Sequence, residues 1–392
     1  MKRLVLLGGG HAHVEVLRDF GERPDASVEL TLVTPFPSLT YTGMLPGHVA
    51  GHYALDECTL DLEALAARAR ARVVLSPASL VSADANEVVC ANGTAVPYDV
   101  LSMNVGSVPF VGDARGVERH AIVLRPLGRL VEGWNEMLAR AGDGAVRVVT
   151  VVGGGAGGLE LALAMKHRFR RELGEAAPHV RVISDTPRIA TGLAAGTRRR
   201  LERRLRLSGI EVQAGSAVAE VGAGYVRLQS GLEFTTDAVF WATGAAAPEF
   251  IRQSGFATDE RGFLLTNDLL QSPSHPNVFG AGDCVNELGH AMPKAGVFAV
   301  RAGPTLAANL RAALERRALQ PHVPKPRFLA LVSTGGRHAI GSWGPLSWEG
   351  RWAHLSGMNR DHQCSLELRR HHQRARQPGR RQQMMSLVDD QP

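Results

Sequence analysis

The stretch VVGGGAGGLELA at residues 151–162 decides the fold of this chain. The apolar run that leads into it, VRVVTVVG at 146–153, predicts a β-strand, and the residues after it predict a helix from Ala156 to Leu173. At such a junction a pyrophosphate can approach the backbone and meet the positive N-terminus of the helix. The stretch therefore predicts a Rossmann unit that binds a dinucleotide, through a G-x-G-x-x-G loop formed by Gly153, Gly155 and Gly158.

The strand after this helix, HVRVISD at residues 179–185, ends in an acid. Asp185 is predicted to bind the adenosine ribose hydroxyls of the dinucleotide. Arg188 lies close by in the sequence, and a guanidinium suits a 2′-phosphate. The sequence therefore leaves NADH and NADPH open as the nucleotide.

A second glycine loop, LLGGGHAHV, stands near the N-terminus at residues 6–14. It also lies between a predicted strand and a predicted helix, but His13 occupies the position of the third glycine, so looser packing of helix on strand is expected. The next strand, VELTLVTP at 28–35, does not end in the usual ribose-binding acid. This first cofactor site is predicted to include Gly8, Gly10, His11, Thr34 and Pro35.

A third segment, NVFGAGDC at residues 277–284, predicts a short strand and a Gly-Asp turn ahead of a helix at 295–314. An aspartate in a turn is common by itself. In a chain with two glycine loops and the segment WATG at 241–244, however, the carboxylate of Asp283 is predicted to face a ligand hydroxyl. This part of the site is predicted to include Gly244, Gly282 and Asp283.

Alternating apolar runs and helical stretches occur twice, from residue 3 and from residue 146, and a β-rich stretch follows each. The predicted fold class is α/β, with two Rossmann-like dinucleotide-binding domains, β-meanders and a small C-terminal region. The first domain is predicted in two parts, 1–112 and 245–318, with the second domain at 113–244 between them. The C-terminal region is predicted as a hairpin at 319–352 and a basic tail at 353–392.

The composition limits the classes of function. At 392 residues the chain is too long for one ordinary domain. Its four cysteines form no CxxC pair, which predicts neither a disulfide framework nor a metal site and suits a reducing, cytosolic setting. No apolar stretch reaches the roughly 18 to 20 residues of a membrane-spanning helix, so any membrane contact is expected to be peripheral.

The net charge of +6 is concentrated towards the C-terminus, which contains HHQRARQPGRRQQ. A solvated, disordered tail is the expected character of this segment, and attraction to anionic lipid is the alternative. Nucleic-acid binding is not predicted, because the segment lacks interleaved aromatic residues.

Together these segments resemble the two-dinucleotide-binding-domain flavoproteins of the pyridine nucleotide-disulfide oxidoreductase superfamily, over roughly residues 1–350. The resemblance implies that Gly8 and Gly10 face the pyrophosphate of FAD, that Asp283 faces its ribityl chain, and that the loop at 153–158 holds NAD(P)H. The stretch YDVLSMNVGSVP at 98–109 is similar to the superfamily's crossover YDxLxxATGSxP, which adds Gly106 to the FAD site. It departs from that pattern at Asn104 and Val105.

Within the superfamily, the disulfide reductases need a cysteine pair that this sequence lacks, and the catalytic cysteines of sulfide:quinone reductases have no evident counterparts. The chain is more similar to the type II NADH:quinone oxidoreductases. GGGHAHV, YTGMLPG and PKAGVFAVRAGPTLAANL resemble the branch found fused ahead of selenide,water dikinase. Quinone reductases of this kind dock on the bilayer through amphipathic C-terminal helices, whereas this chain is polar and basic after Trp352.

Two charged residues are candidates for a part in the chemistry. Glu160 lies in the first turn of the helix after the second loop, where the helix dipole favours a carboxylate, and it is also predicted to line the contact between nicotinamide and flavin. Lys294, in the segment PKAGVFA at 293–299 that also contains Gly296, is predicted to lie over the flavin and to stabilise negative charge there. A lysine in a surface loop is the alternative interpretation.

The predicted activity is transfer of hydride from NAD(P)H to FAD, followed by transfer of electrons to a quinone-type acceptor. One alternative is a reductase of a small redox protein such as a ferredoxin, because the +6 charge would steer an acidic partner. Another is a flavin-bound scaffold or redox sensor, which the intact second loop disfavours. The predicted location is the cytoplasm, with the inner face of the membrane as an option. The sequence does not determine the acceptor, the nucleotide, the proton source or the oligomeric state.

Overall fold

The computed structural model describes residues 1–290, 292–325 and 327–351. Its first α/β unit contains a five-stranded parallel sheet, as the fold class predicted. In spatial order the strands are Val278–Gly280, Val100–Met103, Lys2–Leu7, Val28–Thr34 and Arg72–Leu75. The strand that precedes the Gly-Asp turn is therefore hydrogen-bonded into the same sheet as the N-terminal strands.

Side chains of the central strand Lys2–Leu7 alternate between two buried layers, because successive residues of a strand point to opposite faces. Leu4 and Leu6 pack under helices, whereas Val5 and Leu7 pack under a β-meander. The helices of this unit are His11–Glu22, Leu62–Arg68 and Gly296–Glu315. The strands of the meander are Ala78–Ser82, Glu87–Cys90 and Ala95–Pro97.

The second unit repeats this plan. Its five-stranded parallel sheet has the spatial order Ala121–Val123, Ala238–Trp241, Val148–Val152, His179–Ile183 and Glu211–Gln213. The helices of the unit are Leu127–Gly142, Ala156–Leu173 and Ala195–Leu207. Its antiparallel meander consists of Val218–Gly222, Tyr225–Leu228 and Glu233–Thr235.

The chain passes between the two units along two adjacent segments. Val108–Pro109 leads out of the first unit and Ala245–Ala246 leads back, and the two segments pair as antiparallel strands. After the return, Leu264–Thr266 pairs in parallel with Val285–Glu287. Further short elements are the strands Ser38–Thr40 and Thr59–Asp61 and the helices Leu45–Val49, Val117–His120 and Glu249–Gln253, with 3-10 turns at Thr42–Met44, Asp56–Cys58, Gly174–Ala176 and Gly282–Cys284.

The C-terminal region differs from its prediction as a hairpin. It forms a three-stranded antiparallel sheet from Ala330–Ser333, Ala339–Trp343 and Leu346–Gly350. The second turn, which contains Gly344 with a positive φ of 53°, reverses the chain once more and adds the third strand. The tail predicted at 353–392 lies outside the described residues.

Within residues 1–290, 292–325 and 327–351, no helix has both the length and the hydropathy needed to cross a membrane.

Candidate functional site

The second glycine loop forms an open cradle at a helix N-terminus. A Cβ added to Gly153, whose φ is +132°, would lie 2.2 Å from the Ala242 carbonyl oxygen, and one added to Gly158 would lie 2.2 Å from the Gly153 carbonyl oxygen. Gly155, by contrast, would meet nothing within 4 Å. Gly153 and Gly158 are thus required for close packing of strand and helix. Gly155 opens onto space into which the first amides of helix Ala156–Leu173 are directed. This geometry fits a dinucleotide pyrophosphate.

The loop after strand His179–Ile183 folds back onto this cradle. The Ala190 amide donates to the Gly154 carbonyl at 2.7 Å, and the hydroxyls of Ser184 and Thr186 lie 2.9 Å apart. Asp185, the predicted ribose ligand, is exposed beside the buried Ser184. Arg188 lines a cavity of about 370 Å³ further along the same edge, together with Glu202 and Arg206.

In the first glycine loop, the histidine at the third glycine position forms two buried hydrogen bonds. His13 is fully buried, its Nδ1 donates to the Gly8 carbonyl at 2.6 Å, and its Nε2 lies 2.8 Å from the Ser102 hydroxyl, which donates to it. Burial lowers the pKa of His13 from 6.5 to about 4, so the ring is neutral at pH 7. The His13 ring thus links the helix to both the loop and the neighbouring strand through hydrogen bonds.

Asn104 joins three segments around the first loop, and the sequence analysis noted it only as a departure from the crossover pattern. Its Oδ1 accepts from the Ala12 amide at 3.0 Å, and its Nδ2 donates to the Ala281 carbonyl at 2.6 Å. Its own carbonyl accepts from the Gly10 amide at 3.2 Å. Asn104 thus links the glycine loop, the crossover and the Gly-Asp turn to one another. In the sequence, its departure from the crossover pattern was the signal that could have indicated this role.

The Gly-Asp turn brings Asp283 next to a residue of the second unit. Gly282 has a φ of +78°, and a Cβ there would lie 2.4 Å from Asn104 Nδ2. Asp283 Oδ2 accepts from Arg125 Nη1 at 2.9 Å, and Arg125 also donates to the Ser107 hydroxyl. Arg125 was not among the predicted site residues, because nothing in its local sequence indicates a partner 158 residues away.

The first site also contains a buried polar atom that has no partner. His11 Nε2 is shielded from solvent and forms no hydrogen bond within the part of the chain that the structure describes. The ring meets Tyr41 edge-on, with centroids 5.4 Å apart. Burial lowers the pKa of His11, an effect that the nearby Asp283 opposes. A buried donor or acceptor of this kind fits a polar cofactor, since burial without a hydrogen bond is costly.

The other residues predicted for the first site lie at the ends of elements. Thr34 is buried at the end of strand Val28–Thr34, where its hydroxyl donates to the Phe36 carbonyl at 3.2 Å, and Pro35 after it is exposed. A Cβ on Gly106, whose φ is +73°, would meet nothing within 4 Å. The Gly244 carbonyl accepts from the Phe110 amide at 2.6 Å, and Gly296 begins helix Gly296–Glu315.

Both charged candidates already make hydrogen bonds to the protein. Glu160 Oε1 accepts from the Ser333 amide at 2.6 Å and so holds the C-terminal sheet against helix Ala156–Leu173. Lys294 Nζ donates to Asn286 Oδ1 at 2.6 Å and to the Val285 carbonyl, and lies 3.9 Å from the centre of the Phe263 ring. Burial lowers the pKa of Lys294. Lys294 is therefore a partly buried residue rather than a lysine of an exposed loop.

Lys294 lines two cavities on the first unit. One, of about 620 Å³, is also lined by Arg261, Phe263 and His290. The other, of about 30 Å³, is also lined by Gly282 and Asp283. The predicted residues around Asp283 and Lys294 are thus brought together, whereas Asp185 belongs to the separate cradle of the second unit.

Several known proteins are similar to this chain in sequence. The family model described as pyridine nucleotide-disulphide oxidoreductase matches residues 2–305. A probable NADH dehydrogenase of Dictyostelium discoideum is 23% identical over 370 residues, 86% of this chain and 79% of that protein. A type II NADH:quinone oxidoreductase of Haemophilus influenzae is 23% identical over 311 residues, 69% of this chain and 70% of that protein.

The fold is also that of a solved structure. The sulfide:quinone oxidoreductase of Aquifex aeolicus superimposes with a TM-score of 0.80 at 17% identity, covering 95% of this chain and 92% of that one. The predicted fold class and the predicted superfamily are both confirmed. Flavoproteins of this family bind FAD and NADH, in agreement with the two cofactors predicted from the sequence. The chain belongs to the pyridine nucleotide-disulphide oxidoreductase family.

Proposed function

We propose that this chain is an NAD(P)H:quinone oxidoreductase that holds NAD(P)H in the second unit and FAD in the first. The observation that carries the proposal is the pair of cradles, one at the end of each parallel sheet, in units joined by the paired segments Val108–Pro109 and Ala245–Ala246. FAD, when bound, supplies the ability to accept a hydride from the nicotinamide and to release electrons to a second substrate.

The protein's own residues bind and orient the two dinucleotides. Gly155 leaves room for the pyrophosphate of NAD(P)H, and Asp185 lies at the strand end where an acid binds ribose hydroxyls. In the first unit the loop with Gly8 and Gly10, held in place by Asn104, takes the pyrophosphate of FAD. The first site also draws on His11, Thr34, Pro35, Gly106, Gly244, Gly282, Asp283 and Gly296.

Glu160 and Lys294 have proposed roles on either side of the flavin. Glu160 extends from the second turn of helix Ala156–Leu173, not from its first turn as predicted from the sequence, and its hydrogen bond to Ser333 fixes its carboxylate in place. Lys294 supplies a positive charge beside Asp283 and borders the cavity of about 620 Å³, which we propose as the route for the acceptor. The quinone is supported by the names of the relatives in Haemophilus influenzae and Aquifex aeolicus.

Anaerobic stopped-flow mixing of the purified flavoprotein with NADH or NADPH tests the donor half of the proposal. We expect bleaching of the flavin absorbance by at least one nucleotide and its return when a soluble quinone is added. A flavin that neither nucleotide reduces would refute the proposed activity. A reduced flavin that quinone does not reoxidise would refute the acceptor alone.

A small acidic redox protein is the second candidate acceptor. The observation in its favour is that Arg261 and Lys294, two basic residues, line the cavity of about 620 Å³ with a single acidic residue, Glu287, so the wall would attract an acidic surface. This candidate is favoured over the first if a ferredoxin reoxidises the reduced flavin at a rate that falls steeply as salt is added, and if quinone reoxidises the flavin only slowly.

We further propose that the protein works in the cytoplasm and contacts the inner face of the membrane peripherally. The turn between the last two strands carries Trp343 and Leu346, which are 43% and 62% exposed. Exposed apolar side chains of this kind partition into a bilayer interface. Co-sedimentation with anionic vesicles that is lost in the double variant Trp343→Ser/Leu346→Ser would support this contact, and equal sedimentation of both proteins would exclude this turn as its site.

A further inference from the structure

Arg125 belongs to the second unit but contacts two segments of the first. It lies between strand Ala121–Val123 and helix Leu127–Gly142. Its Nη1 donates to Asp283 Oδ2 at 2.9 Å and to the hydroxyl of Ser107, which follows the crossover strand. The side chains of Arg125 and Asp283 are 33% and 12% exposed, so this ion pair is better shielded from water than a surface pair.

The hydrogen bond occupies one oxygen of the Asp283 carboxylate and leaves the other available. Among the described residues, Oδ2 has Arg125 as its donor, and no donor approaches Oδ1. A charge-assisted hydrogen bond of this kind is strong and directional, so it restricts the rotation of the carboxylate. Oδ1 is therefore a preoriented acceptor on the turn Gly282–Cys284.

The space around this carboxylate has the character of a polar ligand site. His11 Nε2 is buried there and has no hydrogen-bond partner among the residues that the structure describes, and Asp283 acts on the His11 ring electrostatically. Beside Ser107, the position of Gly106 opens onto space in which a Cβ would meet nothing within 4 Å. Asp283 itself lines the cavity of about 30 Å³.

We propose that Arg125 is a positioning residue for FAD: it holds the Asp283 carboxylate turned so that Oδ1 accepts a hydrogen bond from a ribityl hydroxyl. The inference rests on the proposed role of Asp283 as a ligand of FAD. Since Arg125 belongs to the second unit, the same contact links FAD binding to the seating of that unit on the first. By thermodynamic linkage, a change that strengthens FAD binding also strengthens the packing of the second unit on the first, and the reverse holds as well.

Four variants test this inference: Arg125→Gln, Arg125→Lys, Asp283→Asn and the double variant Arg125→Gln/Asp283→Asn. Each purified protein is stripped of flavin and titrated with FAD, with the quenching of flavin fluorescence as the signal, and the midpoint potential of the bound flavin is then measured. Arg115→Gln is the matched control, because Arg115 also pairs with a carboxylate, Glu220, at 3.2 Å but is 77% exposed.

We expect Arg125→Gln to weaken FAD binding by about tenfold or more, since a shielded charge-assisted hydrogen bond is lost. The midpoint potential should become more negative, because a positive charge near the flavin stabilises the reduced form. Arg125→Lys should recover part of both changes, as it keeps the charge but not the planar fork. The double variant should bind FAD no more weakly than Asp283→Asn alone, because Arg125 acts through Asp283.

Three results separate the possible failures. Unchanged FAD affinity and potential in Arg125→Gln, with a loss in Asp283→Asn, would overturn the inference and leave the role of Asp283 intact. Unchanged affinity in Asp283→Asn would overturn both the role of Asp283 and the positioning role of Arg125. A purely structural ion pair would lower the thermal stability of the flavin-free protein and leave the potential where it is, which would also count against the inference.

Discussion

At the scale of single residues, His13 makes the folded state sensitive to acid. Its pKa is about 4 in the folded protein and 6.5 when unperturbed. As the pH falls from 7 to 4, the unfolded chain binds a proton that the folded chain excludes, so the free energy of unfolding decreases, by up to roughly 3 kcal/mol. The stability contributed by the neutral ring is present above the unfolded pKa and is lost progressively across this window.

Urea denaturation of the wild type and of His13→Gln at several pH values between 7 and 4.5 measures this effect. The variant lacks the titrating ring, so its stability should fall less steeply with decreasing pH, although it should be less stable at pH 7 because the bond to Ser102 or Gly8 is weakened. Parallel pH profiles for the two proteins would contradict the assignment of the low pKa to His13.

Asp185 is expected to set the choice of nucleotide. Its carboxylate is exposed at the strand end beside the cradle, where it would repel the 2′-phosphate of NADPH. Asp185→Ser should therefore raise the ratio of kcat/KM for NADPH to that for NADH by about tenfold. Arg188→Ser, in the same loop, should lower the ratio. A ratio unaffected by either change would place the adenosine ribose elsewhere.

Residue roles were the hardest part of the site to predict from sequence. The glycines of the second loop and Asp283 could be predicted as site residues because the spacing of nearby residues in the sequence indicates such a role, and they remain predictions. The contacts of His13 and Asn104 could not, since they depend on Ser102 and Ala281, which lie 89 and 177 residues away along the chain. Arg125 was missed for the same reason.

At the scale of elements, the junction of strand Val148–Val152 with helix Ala156–Leu173 should tolerate no side chain at Gly158. A Cβ there would lie 2.2 Å from the Gly153 carbonyl oxygen, so the helix must move away from the strand and distort the cradle. Gly158→Ala should therefore raise the KM for the preferred nucleotide at least about tenfold, while the protein retains FAD in the other unit.

Gly142→Ala provides the control for this change, because a Cβ at that helix end in the same unit would meet nothing within 4 Å. FAD content is read from the absorbance spectrum and KM from steady-state rates with quinone. Loss of FAD in Gly158→Ala, or an unchanged KM, would show that the second cradle does not hold the nicotinamide dinucleotide.

The structure closely matches the prediction for elements whose apolar residues recur with a clear helical period. The helix predicted from Ala156 to Leu173 has those limits in the structure, because its glycine loop and apolar face are both local signals. The third C-terminal strand, Leu346–Gly350, was missed, since a short strand with half-buried residues has little periodicity. The pair Ser38–Thr40 and Thr59–Asp61 has only three residues in each strand and left no pattern to detect.

At the scale of the whole molecule, Glu349 fastens the C-terminal sheet to the second unit. It pairs with Arg203 at 2.6 Å and with Arg200 at 3.9 Å, both on helix Ala195–Leu207. Glu349→Ala should therefore increase hydrogen exchange in the last two strands without changing the flavin spectrum. Glu202→Ala, an exposed acid on the same helix, is the control. Unchanged exchange in Glu349→Ala would show that the ion pairs of Glu349 do not hold the sheet in place.

The domain limits predicted from the sequence, with one unit at 113–244 inside the other, remain a prediction. The segments that lead into and out of the second unit, Val108–Pro109 and Ala245–Ala246, pair with each other, so the two ends of that unit lie side by side. Recombination at these two neighbouring points would therefore exchange the whole second unit, which is proposed to bind NAD(P)H. A chain in which a short Gly-Ser linker joins residue 110 to residue 245 should still fold its first sheet but should bind FAD more weakly than the full chain, because it lacks Arg125 and Gly244. An unfolded product would show that the two units are not separable in this way.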